Sequence, residues 1–167
     1  MTHFVRVRPF ATFVALAASM GCSPTDSAPS TPTTPLVGTW RIVRHTPVAG
    51  SGREASLRFG SRPRGYLVYD GTGHVFLQVQ DAAIADSVKS RWRGAPDSIL
   101  QGILHGFQAY FGTYAIDSAA QLVTHRIEGE LLPRLGSVEV ATPYRLRGDS
   151  LILGTDSLEQ WIFVRVR

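Results

Sequence analysis

The chain has 167 residues but only one cysteine, Cys22, so no internal disulfide can form and a thiolate metal site has no second sulfur ligand. Lysine is almost absent as well. Sixteen of the 17 basic residues are arginine, scattered without a stripe of interleaved aromatics, and this excludes a nucleic-acid footprint. There is no GxSxG, no HExxH, no CxxC and no phosphate-cradling glycine loop, so the common hydrolase, metalloprotease, redox and nucleotide signatures are missing. His45, His74, His105 and His125 are dispersed over different segments, and no metal-ligand spacing emerges. No cofactor is implied. The longest apolar run, FATFVALAAS at Phe10 to Ser19, is too short for a good transmembrane helix.

What is present begins with that run. Preceded by Arg6 and Arg8 and followed by small residues, it makes residues 1–21 look like an export signal. Cys22 follows directly in SMGC, a position that resembles the lipobox of bacterial lipoproteins, although Ser19 stands where that motif usually has leucine. The resemblance implies a lipidated Cys22 holding the protein to a membrane of the bacterial cell envelope, on its periplasmic or outer side; the alternative is ordinary cleavage nearby, with Cys22 left as a free thiol. Residues 23–35, SPTDSAPSTPTTP, carry four prolines and seven serines or threonines and no large apolar side chain, so 22–35 reads as an anchor and tether that nothing can compel to fold. Removing Arg6 and Arg8 also leaves 15 basic against 13 acidic residues, a near-neutral mature protein.

From residue 36 to 167 the texture is that of one β domain. An apolar content of 44% suffices for a real core. Strand-like runs follow one another: LVGTWRIVRH, RGYLVYD, HVFLQVQ, AYFGTYAID, LVTHRIEGEL, SVEVATPYRLR, SLILGT and LEQWIFVRVR. Gly71, Thr72 and Gly73 mark a hairpin, and Gly148 with Asp149 another turn. Between residues 81 and 107 the period changes: Ile84, Val88 and Trp92, then Ile99, Ile103 and Phe107 with Leu100 and Leu104, predict two short helices, with Pro96 suited to the first helical position of the second. About eight sequential strands joined mostly by tight turns predict an up-and-down antiparallel barrel, which leaves no exposed sheet edge.

The blocks LVGTWRIV, PRGYLVYDGTGHVFLQV, AYFGTYAID and LVTHRIEGELLPRLGS, in this order and spacing, resemble the bacterial and fungal lipocalin-like domain family. The resemblance implies a calycin-type barrel around a central cavity, with the inserted helices over one opening. It also implies that Trp40 plugs the closed end, beneath an arginine of the last strand, Arg165 or Arg167.

Barrels of this strand number are either just filled by side chains or wide enough for one small ligand. The strand LVTHRIEGEL bears on that choice. Alternation puts Val123, Ile127 and Gly129 on one face with His125, and Thr124, Arg126, Glu128 and Glu130 on the polar face, so a titratable ring falls where an apolar one would pack better. Tyr110, Tyr114 and Ile116 share a face of the preceding strand, and Tyr114 is the phenol expected to meet His125 in the interior. The expected ligand-orienting residues are His125, Tyr114, Tyr110, Tyr144 and Gln78, with Val75, Leu77 and Val79 competing with Gln78 for the inward face of their strand. The functional expectation is a cell-envelope module that binds a small, mostly apolar molecule. Two alternatives stand beside it: a cyclase- or isomerase-type enzyme with His125 as acid/base and Tyr114 as donor, and a structural envelope protein with a filled barrel. For His125 itself the plain alternative is a core histidine satisfied by Tyr114, Thr142 or a backbone carbonyl.

Overall fold

The computed structural model describes residues 34–47, 58–88, 94–132, 138–155, 157 and 159–167, all within one compact unit, Thr31–Arg167. The export segment, Cys22, the tether as far as residue 33, and Trp92 lie outside the described residues. Eight strands run in chain order: β1 (Gly38–Thr46), β2 (Pro63–Tyr69), β3 (His74–Asp81), β4 (Phe107–Asp117), β5 (Leu122–Glu130), β6 (Val138–Arg147), β7 (Ser150–Leu153) and β8 (Gln160–Arg165). Each pairs antiparallel with the next, and β1 pairs with β8, so the sheet closes into an eight-stranded barrel. Two helices, α1 (Ala82–Val88) and α2 (Asp97–His105), are inserted between β3 and β4. Pro96 is the residue before the first turn of α2, not in it.

The core follows from alternation. Trp40 and Ile42 on β1, Leu67 and Tyr69 on β2, and Val75, Leu77 and Val79 on β3 all point inward and are buried, together with Leu36, Phe59, Val123, Leu151 and Phe163. One end of the barrel is sealed. Trp40 is fully buried, its indole N–H donates to the Leu36 carbonyl at 2.8 Å, and the Arg165 guanidinium lies 4.1 Å above its ring. Arg165 also donates to the carbonyls of Val37 at 2.8 Å and Pro35 at 2.6 Å. Gly38 is what admits it: a Cβ there would lie 2.7 Å from the guanidinium, at a φ of +137° that suits glycine. Of the two candidate arginines, Arg165 is therefore the cover, and Arg167 pairs with Asp149 outside.

Two β-bulges reset which residues face inward. On β1, Ile42 pairs with Phe163 and Arg44 with Ile162, so Val43 is an extra residue that turns His45 into the interior. On β5, Phe111 faces Gly129 and Gly112 faces Ile127, so Glu128 is extra. The uniform alternation read from LVTHRIEGEL is corrected beyond Ile127. Gly129 sits on the outer face beneath the Phe111 ring, where a Cβ would come within 2.5 Å of it, and Glu130 pairs with Tyr110 on that tyrosine's face. The two glutamates do not share a side.

Candidate functional site

Sequence order sends β1 to end, and β8 to begin, at the end of the barrel opposite Trp40, and that end holds a cavity of about 370 Å³. Leu77, Ile127, Val140, Leu153, Trp161 and Phe163 give it mostly apolar walls. Its polar lining comes from Gln108, Tyr110, His125, Thr142 and Glu159. Because β7 stops at Leu153, the first half of β6 has β5 as its ladder partner but, among the described residues, none on the other side, and the cavity reaches Ala141 and Pro143 there.

His125 is brought inward as the alternation of β5 requires, and only 4% of it is exposed. Both ring nitrogens are engaged: Nε2 lies 2.8 Å from the Tyr69 hydroxyl and Nδ1 2.8 Å from the Tyr110 hydroxyl. Burial holds the imidazole neutral, with its pKa lowered to about 4. A neutral ring has one N–H and one lone pair, and Tyr69, fully buried, must donate its proton to the nitrogen it touches. The order is therefore Tyr69 O–H to Nε2, then Nδ1–H to the Tyr110 oxygen. Burial, and then the neighbouring Tyr110 and Tyr114, push the Tyr69 phenol well above its usual range, so it stays a proton donor.

Tyr114 does not meet the imidazole. It stands opposite His125 in the β4–β5 ladder, but its ring packs edge-on against Tyr69 with centroids 4.8 Å apart, and its hydroxyl donates to the Asp70 carbonyl at 2.7 Å. That contact pins the β2–β3 turn, whose Asp70 carboxylate accepts from the backbone N–H groups of Thr72 and His74. The His74 N–H first, then the Thr72 hydroxyl and N–H, hold the Asp70 carboxyl down to about 2. Tyr114 thus belongs to the closed end. Tyr144 is buried in the core without lining the cavity, and Gln78 is corrected outright: Val75, Leu77 and Val79 take the inward face and Gln78 is exposed on the outside. Of the five expected residues, the cavity gathers His125 and Tyr110.

Three cavity-side groups escaped the sequence reading. Tyr69 had a signal, since it shares parity with Leu67 on β2, and the phenol is carried inward with that leucine. The other two form a pair: His45, 3% exposed, places Nε2 2.6 Å from Oε1 of Glu159, a residue at the cavity rim whose side chain is half exposed. The His45 ring packs between Phe59 and Trp161, with centroids at 5.0 and 4.4 Å, and its Nδ1 is buried without a partner among the described residues. Burial pushes the Glu159 carboxyl up, but the hydrogen bond and charge of His45, a hydrogen bond with Trp161 and the Arg58 guanidinium outweigh it and leave the carboxyl below its usual range. No residue pattern in the sequence announced this pair, because it depends on the bulge at Val43.

Among the described residues no group of three or more histidine, cysteine or acidic side chains could hold a metal, and no helix is long and apolar enough to cross a membrane. Against sequence families, residues 37–161 match the pattern that defines the lipocalin-like domain. Curated proteins and solved structures give no match.

Proposed function

The chain belongs to the lipocalin-like domain family, and from that premise we propose that its barrel takes up a small, mostly apolar molecule through the open end. The observation that supports this most directly is the cavity of about 370 Å³ with six large apolar side chains and a few convergent polar groups, at the lower end of the size range typical of small-molecule sites. In this reading His125 acts through Tyr110. Both of its nitrogens are already bonded, so the imidazole fixes the phenol at the wall and the phenol orients the ligand. The same occupancy disfavours an acid/base enzyme built on His125, which would need an open nitrogen and a proton affinity closer to neutrality.

The test is purification under native conditions, solvent extraction and mass spectrometry, followed by titration of the emptied protein with apolar probes. A bound small molecule, or saturable uptake of one probe per chain that Val140→Trp blocks while the barrel stays folded, is the expected result. An emptied wild type that takes up no probe would sink the proposal and favour a purely structural barrel.

We further propose that the domain works at the cell envelope, carried on a lipidated Cys22 by the tether that follows. Support comes from the sequence alone: the apolar export segment, the SMGC position and the proline-rich residues 23–35. Metabolic labelling with a fatty acid should tag the wild type and not Cys22→Ala; label that persists in the variant would reject this anchor.

A further inference from the structure

The His45–Glu159 pair is costly in a way that packing does not explain. A bulge is spent at Val43 to turn a histidine inward, and its Nδ1 is left buried with no partner among the described residues, where an aromatic hydrocarbon between Phe59 and Trp161 would leave nothing unsatisfied. What the arrangement achieves is to fix one carboxylate at the rim. Among the described residues Glu159 is the one acidic side chain that lines the cavity and no lysine or arginine lines it; the positive charges that act on the carboxylate, those of His45 and Arg58, belong to residues outside the lining. His125, the lining histidine, is neutral. Beside the carboxylate stands the Trp161 ring, stacked on Phe163 with an interplanar angle of 5°.

A carboxylate fixed at the rim of an apolar chamber is a chemical match for a protonated amine on an apolar tail, because the ammonium gains a charge-assisted ion pair while its tail is buried. We propose that Glu159 is the recognition carboxylate for a basic nitrogen, so that the ligand class is an apolar amine whose tail lies against Leu77, Ile127, Val140 and Leu153 while its ammonium stays at the half-hydrated rim. This rests on the cavity-binding reading above and narrows it. His45 is the positioning residue: it touches Glu159, does not line the cavity, and acts on the ligand through the carboxylate.

The probes are octylamine, 1-octanol and octanoate, which share a tail and differ in the head group, titrated calorimetrically into the full chain at pH 7. Octylamine should bind roughly fivefold more tightly than octanol, and octanoate more weakly than either, the modest factor reflecting a half-exposed ion pair. Glu159→Gln should remove most of the amine preference while octanol binding stays. His45→Phe should keep the fold, since the ring still fits between Phe59 and Trp161, yet lower the amine preference with octanol unaffected. Equal binding of octylamine and octanol by the wild type, or a preference that survives Glu159→Gln, overturns this inference and leaves the cavity reading intact. Failure of all three probes overturns both.

Discussion

At the scale of single residues, the interior depends on a few polar groups whose satisfaction is bound to pH. His125 has its pKa lowered from 6.5 to about 4 by burial. Between those values the unfolded chain takes up a proton that the folded chain refuses, so stability rises with pH across the window. It is fully present above 6.5 and lost progressively as pH falls toward 4, by about 3 kcal/mol in total. Glu159 contributes in the same direction, since its lowered pKa stabilises the fold above the ordinary carboxylate range and is forfeited as acid protonates it. The sign separates from the magnitude by mutation. His125→Gln does not titrate, and its urea midpoint should fall much less than that of the wild type between pH 7 and pH 4.5, even though it starts lower. An unchanged pH slope in this variant would show that another group carries the acid sensitivity.

At the scale of elements, parity was the readable quantity and bulges were the unreadable one. The eight strands and two helices follow the turn residues and the two- and four-residue periods, because Gly71 to Gly73, Gly148 and the helical spacing of Ile99 and Ile103 are local signals; Phe107, which the four-residue period assigned to the second helix, instead opens β4. His125 and Tyr110 were legible for the same reason, each sharing the parity of apolar neighbours. A bulge has no such mark. Val43 and Glu128 look like any strand residue, yet each shifts everything beyond it to the other face, and this hid His45 and misassigned Gly129 and Glu130. Gln78 was a different failure: alternating Val75, Leu77 and Val79 outweighs one polar residue. The second bulge makes a strict demand on its partner strand. A Cβ on Gly112 would stand 2.0 Å from the Arg126 carbonyl oxygen, backbone that cannot swing aside. Gly112→Ala is therefore expected to destabilise the fold by at least about 2 kcal/mol, as a clash inside a ladder rather than a lost contact. Chemical denaturation would measure it, and a loss under about 0.5 kcal/mol would mean that the β4–β5 register can slip to accommodate a methyl group.

At the scale of the whole molecule, the ring closes only because the last strand pairs with the first, and that pairing spans nearly the full domain in sequence, with Trp40 opposite Arg165. Such a contact comes late and costs loop entropy, so what fastens it matters more than an equal contact between neighbouring strands. Arg165 is the fastener. It bonds two carbonyls of the entering segment and covers Trp40, whereas Arg167, two residues later, makes one exposed pair with Asp149. Arg165→Ala should cost about 2 to 3 kcal/mol, from two charge-assisted bonds and a cation over an indole, and Arg165→Lys should recover only part because an ammonium cannot span both carbonyls in the same plane. Arg167→Ala should lie within about 0.5 kcal/mol of the wild type. Opening the seam would also expose the edges of β1 and β8, so Arg165→Ala should self-associate at concentrations where the wild type does not, which light scattering would detect. If both arginine variants prove equally mild and monomeric, closure is held by the ladder alone, and the covered tryptophan is a consequence of the ring rather than its clasp.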